Sequence, residues 1–190
     1  MLYYAEAVAP LSPTVNMRYG LDIDGVVCDF LAGARALADK LDIDVSDREL
    51  VLDYESLPNE YEEVLEDYPF WLNMKPIRSS WHVVNDLFSK GHDVYFITSR
   101  GKESSILVTC RWLLEWNFMY SDVSFTNGKG KVDLYKELEL DIFVDDNPEV
   151  VSDITEIGLG VLMNQVYNER DEARVRIDSL TDLYQLEITR

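Results

Sequence analysis

Two aspartates, Asp22 and Asp24, lie in the stretch YGLDIDGVVCDF (residues 19–30), where a short apolar run gives way to Gly25. Tyr19, Leu21 and Ile23 alternate as one side of a strand does, and Val26 and Val27 follow the turn. Residues 22 and 24 are in phase, so both carboxylates are expected on the same side of the strand, with Cα atoms roughly 6–7 Å apart. Ligands of open α/β sheets bind at the C-terminal ends of the strands. A carboxylate pair placed there can divide phosphoryl chemistry between its members. One attacks a phosphorus and the other protonates the leaving oxygen. The competing reading is a pair of solvated acids in a turn. Three other places bear on the choice: Ile97-Thr98-Ser99-Arg100, Lys131 at the head of a helical pattern, and Phe143-Val144-Asp145-Asp146-Asn147-Pro148.

The elements that must position these residues follow from periodicity. Phe30, Leu31, Ala34, Leu37, Ala38 and Leu41 recur at helical spacing. Residues 42–78 are rich in acids and aromatics (Tyr54, Tyr61, Tyr68, Phe70, Trp71) and are broken by Pro58, Pro69 and Pro76. They read as short helices forming an insertion, with the acidic run 60–67 as a solvated face. Ser79 or Ser80 can cap a helix carrying Trp81, Val84, Leu87 and Phe88 and stopped by Gly91. Residues 94–97 suit a buried parallel strand. A helix over 104–116 is expected to turn Ile106, Leu107, Cys110, Leu113 and Leu114 inward. A strand at 123–125, a turn at 127–130 and a helix at 131–138 follow. Next come a strand at 141–145 and a helix opened by Pro148 that carries Val150, Val151, Ile154 and Ile157. The chain closes with strands at 160–163 and 174–177 and a helix with Ser179 as N-cap. This alternation predicts an α/β fold: a Rossmann-like, doubly wound, mostly parallel sheet with helices on both faces and a small helical cap inserted after the first strand. Residues 17–30 and 79–190 would form the core, 31–78 the cap, and 1–16 an N-terminal arm.

The chain has 190 residues, 47% of them hydrophobic, with 17 basic and 36 acidic side chains and a formal net charge of −19. Binding to a nucleic acid polymer, which relies on Lys and Arg displacing counterions, is disfavoured. An anionic substrate would have to be held by a few local cations, backbone N–H groups and a metal. Cys28 and Cys110 have no spacing that suggests zinc or a disulfide framework, which fits a reduced, cytoplasmic protein. No apolar run is long enough to predict a membrane span. Residues 1–16 lack the basic start of a signal peptide, and a start at Met17 would make them dispensable.

Taken in order, DIDGV at 22–26, ITSR at 97–100, Lys131 and FVDDNP at 143–148 resemble the haloacid dehalogenase-like (HAD) phosphohydrolase superfamily over most of the chain, from Tyr19 to about Met163. Phe30 eight positions after Asp22, PFWLNMKPI at 69–77, GHDVYFITSR at 91–100 and IFVDDNP at 142–148 narrow the likeness to the 5′(3′)-deoxyribonucleotidase group.

The resemblance implies that Asp22 is the nucleophile, forming an aspartyl-phosphate, and that Asp24 is the general acid and then the base. It implies that Mg²⁺ is held by Asp22, the Asp24 carbonyl and Asp145 or Asp146. Thr98, the Ser99 N–H and Lys131 would bind the phosphoryl oxygens. By themselves, Thr98-Ser99 could be a helix cap, and Lys129 rivals Lys131, which is preferred because the helical pattern starts there. Phe30, Phe70 and Trp71 would stack on and enclose a base, or else serve as core residues between cap and sheet. Arg100 and Lys102 read as surface cations and are left outside the site.

The expected substrate is a small phosphomonoester, a nucleoside monophosphate first, with another ester such as a sugar phosphate as the alternative. A homodimer is compatible with the sequence. A silent member binding a nucleotide or a protein partner is disfavoured by the full set Asp22, Asp24, Lys131 and Asp145. Asp24 also argues against a dehalogenase, which has no need of the second acid.

Overall fold

The computed structural model describes residues 16–53, 56–65, 68–100, 103–126 and 130–186. The expectations for residues 1–15, Tyr54, Glu66, Asp67, Gly101, Lys102 and the turn at 127–129 with Lys129 lie outside them.

The first strand, β1 (Arg18–Leu21), is followed by α1 (Phe30–Leu41) and three short helices, α2 (Asp47–Val51), α3 (Asn59–Leu65) and α4 (Tyr68–Leu72). The alternation then runs α5 (Ser80–Ser89), β2 (Asp93–Thr98), α6 (Glu103–Glu115), β3 (Asp122–Phe125), α7 (Lys131–Glu137), β4 (Ile142–Asp145), α8 (Pro148–Thr155) and β5 (Gly160–Met163). A two-residue strand, β6 (Arg176–Ile177), and a 3₁₀ helix, Leu180–Gln185, complete it. All the strands are parallel in one sheet of order β3-β2-β1-β4-β5-β6. This is the doubly wound arrangement, with strand order reversing beside β1. Leu21 pairs with Phe96 on one side and with Val144 on the other. That register sets Asp22 next to Asp145, and the Asp22 N–H donates to the Val144 carbonyl at 2.9 Å.

One apolar cluster joins the sheet to the inserted helices. It contains Leu21, Ile23, Val84, Phe96 and Trp112 together with Phe30, Tyr61, Trp71 and Met74. Tyr61 is buried and donates its hydroxyl to the Leu50 carbonyl at 3.1 Å; burial pushes its phenol up to about 12. Trp112 on α6 donates to the Met74 carbonyl at 2.9 Å, tying a core helix to the return of the insertion. No helix among the described residues is long and apolar enough to cross a membrane.

Several local expectations need correction. On α6 the buried face is Ser105, Val108, Thr109, Trp112 and Leu113, whereas Leu107 and Leu114 are 69% and 73% exposed. The helix carries apolar residues on more than one face, and Trp112 with its bond to Met74 fixes which one turns inward. On α5, Val83 is buried and Trp81 is partly exposed, its indole N–H donating to the Asn117 carbonyl at 3.1 Å. Ser79 has φ +73° and makes no side-chain cap, while Ser80 is buried and donates to the Ile77 carbonyl at 2.8 Å. Ile157 is exposed just past the end of α8. The strand expected at 174–177 shrinks to the β6 pair, and the last helix is 3₁₀ with the expected Ser179 cap.

Candidate active site

β1 ends at Leu21, so strand alternation does not place Asp24. Instead the Ile23 carbonyl gathers the N–H groups of Val26, Val27 and Cys28 into a tight loop. Gly25 stands in this loop at φ +73°, and a Cβ there would overlap the Asp146 carboxylate and the Tyr167 hydroxyl. The shared-side expectation is thus replaced by a loop in which each carboxylate meets its own cation.

Asp22 meets Lys131, Nζ to Oδ1 at 2.9 Å, and the same ammonium donates to Asp145 Oδ2 at 2.8 Å. Asp145 is fully buried, and its other oxygen accepts the Asn147 N–H at 2.9 Å. Asp146 accepts the Tyr167 hydroxyl on Oδ2. The buried Asn168 amide donates to the Asp146 carbonyl at 2.7 Å and to the Met163 carbonyl at 2.9 Å. Gln165 donates to the Gly25 carbonyl at 2.6 Å. The loop after β5 therefore props both the Gly25 turn and the Asp145-Asp146 corner.

Asp24 meets Arg100. The guanidinium forks onto it, Nε to Oδ2 at 2.8 Å and Nη2 to Oδ1 at 2.5 Å. The Arg100 side chain is 3% exposed against 22% for Asp24. Its Nη1 donates to Thr109 Oγ1 on α6 at 3.2 Å, and its carbon lies 4.1 Å from the centroid of the Trp71 ring. Trp71 stacks on Phe30 at 5.7 Å and 17°, and Phe70 meets both rings edge-on. Thr98 is buried and its Oγ1 accepts the Arg100 N–H at 3.2 Å, leaving its hydroxyl hydrogen free to donate; Ser99 beside it is exposed.

Electrostatics follow from burial. Desolvation lifts the Asp22 carboxyl to about 7, with Lys131 pulling down and Asp145 and Asp24 pushing up. Desolvation, then Asp145 and Asp22, hold Asp146 well above the usual carboxylate range. Burial works against the charge on Lys131 and Arg100, but their carboxylate partners outweigh it and raise both. Burial pushes the Cys28 thiol up, which removes it as a nucleophile at neutral pH. Among the described residues four carboxylates meet two cations here, so with all four ionised the excess is one that a divalent cation would balance. Asp22, Asp145 and Asp146 each bring an oxygen within 4.8 Å of the others, a hard donor set suited to Mg²⁺. Among the described residues nothing donates to Asp146 Oδ1, whereas both oxygens of Asp145 are taken.

The structure thus gathers Asp22, Asp24, Thr98, Lys131, Asp145 and Asp146 at one sheet edge, with Phe30, Phe70 and Trp71 packed beside them. Arg100 is not the surface cation expected. A net-negative chain that must bury a carboxylate needs a cation nearby, and an Arg two residues past Thr98 was the available signal. Thr109 was hidden because the inward face of α6 is not the one Leu107 and Leu114 suggest; Tyr167 and Asn168 stand out in the sequence only as polar residues that follow the last core strand near the same edge, with no role assigned, and nothing marks Gln165.

A parallel sheet of this order, with paired aspartates after β1, a threonine ending β2, a lysine opening α7 and a double aspartate ending β4, defines a HAD-type phosphohydrolase. Solved structures agree in fold: a haloacid dehalogenase-like hydrolase from Streptococcus pneumoniae superposes with a TM-score of 0.62 at 11% identity, covering 90% of this chain and 97% of that one. The Bacillus subtilis protein YfnB, solved bound to magnesium, gives 0.59 at 14% identity over 90% and 97%. A Bacillus cereus protein named "Putative nucleotidase" is 26% identical over 182 residues, 88% of this chain and 96% of that one. Residues 16–190 match the family of the 5′ nucleotidase, deoxy (pyrimidine), cytosolic type C protein (NT5C), and the chain belongs to that family. It is a HAD-family nucleotidase/phosphatase.

Proposed function

We propose that the protein is a Mg²⁺-dependent phosphomonoesterase for nucleoside and deoxynucleoside monophosphates that works through an aspartyl-phosphate on Asp22. The observation that carries this reading is the Asp22–Lys131–Asp145 cluster beside Asp146, with the Phe30–Trp71 stack joined to Asp24 through Arg100. In the first step an Asp22 oxygen bonds to phosphorus and the bond from phosphorus to the nucleoside oxygen breaks. Its electron pair stays on that oxygen, which takes a proton from Asp24. In the second step a water oxygen bonds to phosphorus and gives a proton to Asp24. The bond from phosphorus to Asp22 breaks, its electron pair returns to the carboxylate, and inorganic phosphate leaves. The Thr98 hydroxyl, the Ser99 N–H and Lys131 would hold the phosphoryl oxygens. Mg²⁺ held by Asp22, the Asp24 carbonyl and Asp146, with Asp145 steering Lys131, would offset repulsion between an anionic nucleophile and an anionic phosphate.

Residues 31–78 would act as the cap, with Phe30, Phe70 and Trp71 choosing the substrate. A second reading, a smaller phosphoester such as a sugar phosphate, is favoured by one fact: Phe30 and Trp71 are closed onto each other and are 6% and 9% exposed, so a base must part them. A cytoplasmic location goes with the proposal, in keeping with the cytosolic type that the family description names.

The test is phosphate release from a panel of nucleoside and deoxynucleoside monophosphates and sugar phosphates, with Mg²⁺, with EDTA, and with Asp22→Asn. Turnover that needs Mg²⁺, prefers a nucleotide and vanishes in the variant is the expected result. A preference for sugar phosphates would discard the nucleotide assignment and keep the mechanism. Full activity in EDTA or in Asp22→Asn would refute the mechanism.

A further inference from the structure

We propose that Arg100 is a positioning residue for Asp24, and that the inserted helices reach the proton-transfer step through it. The inference deepens the proposed reaction and rests on it for the role of Asp24.

The geometry has three parts. The fork of Arg100 takes both oxygens of Asp24, which fixes the plane of the carboxylate as well as its place. The Thr109 hydroxyl on α6 holds the far nitrogen, so the fork is anchored in the core. The Trp71 ring covers the guanidinium at 4.1 Å from above, and that ring belongs to α4, the helix that also carries Phe70. Arg100 is therefore gripped by the sheet side and the inserted side together. The 22% exposure of Asp24 leaves the carboxylate reachable while the buried Arg100 fork sets its orientation. A lysine could supply the charge but not the two parallel bonds.

If Arg100 acts through Asp24, its loss must matter in proportion to how much the leaving oxygen needs a proton. As the bond from phosphorus breaks, an alkoxide needs the Asp24 proton, a phenolate needs it less, and p-nitrophenolate can leave without it. The experiment measures kcat/KM for glycerol phosphate, phenyl phosphate and p-nitrophenyl phosphate on one preparation each of wild type, Arg100→Gln, Arg100→Lys, Asp24→Asn and the Asp24→Asn/Arg100→Gln double variant. None of these substrates carries a base, so a wrong nucleotide assignment changes the best substrate in the panel above and leaves this series readable. Ratios between substrates on the same preparation are independent of the fraction folded.

For Arg100→Gln the expected loss is about 100-fold on glycerol phosphate, smaller on phenyl phosphate, and less than about fivefold on p-nitrophenyl phosphate. Arg100→Lys should recover part of the loss, and the double variant should be no worse than Asp24→Asn. An equal loss on all three substrates would make Arg100 a merely structural residue. Losses that multiply in the double variant would show that it acts independently of Asp24. Either result overturns the proposal.

Discussion

The two cations of the site are held in different ways. Lys131 lies between two carboxylates delivered by neighbouring central strands, Asp22 after β1 and Asp145 at the end of β4. Both of the carboxylates that grip it belong to the sheet and its immediate loops. Arg100 has one carboxylate partner among the described residues, Asp24, and is covered by an aromatic ring from the inserted helices. The nucleophile corner is thus fixed by the parallel sheet, and the acid corner depends on a second layer. On the proposed mechanism, bond making at phosphorus and proton transfer to the leaving group would then be under separate structural control.

The contrast can be broken at either corner. Lys131→Met should have the largest effect, a fall in kcat/KM of about 10³-fold that is the same for every leaving group, because it removes charge stabilisation at the phosphoryl group itself. A loss confined to poor leaving groups would erase the distinction between the corners. Tyr167→Phe removes the hydroxyl that orients Asp146. Mg²⁺ affinity by titration calorimetry should weaken by about 10-fold or more, with the leaving-group series unchanged. Unaltered affinity would mean that backbone geometry alone aims Asp146.

On the acid side, Phe30→Ala should raise KM for nucleotides by roughly 10-fold through the lost stacking partner of Trp71, with little change for a phosphate ester lacking a base. Equal changes in both would return Phe30 to a purely packing role. The smallest effect is expected from Thr109→Val, which deletes one neutral hydrogen bond to Arg100 and should lower turnover of alkyl phosphates about fivefold while sparing p-nitrophenyl phosphate. No change there would show that Trp71 and Asp24 suffice to hold the guanidinium.

The nucleophile corner was readable in the sequence because its residues stand at the ends of strands, where periodicity and polar residue types coincide. Asp22, Thr98 and Asp145 each follow an apolar run, and Lys131 opens a helical pattern. The acid corner was not readable for physical reasons. Its contacts join positions with no sequence period in common: Asp24 to Arg100, Arg100 to Thr109 and to Trp71. A buried arginine and a surface arginine look alike in a string of letters. The face of α6 could not be assigned either, because leucines at 107 and 114 compete with Val108 and Trp112 for the inward side, and tertiary packing decides. The parallel, doubly wound character of the sheet, by contrast, follows from strand–helix alternation and right-handed crossovers; the order β3-β2-β1-β4-β5-β6 does not, because other doubly wound orders obey the same handedness.

The position of β1 has a consequence for how the chain comes into being. The first strand among the described residues lies in the middle of the sheet, and its second neighbour is β4, so the Arg18 N–H must find the Asp141 carboxylate 123 positions later. Until that segment has been synthesised, one edge of β1 stays open and Asp22 has neither Asp145 nor a completed crevice beside it. Such non-local parallel pairing slows folding and leaves an exposed strand edge while the ribosome is still at work. The pairing of β1 with β4 is therefore also what brings Asp22 and Asp145 together around Lys131.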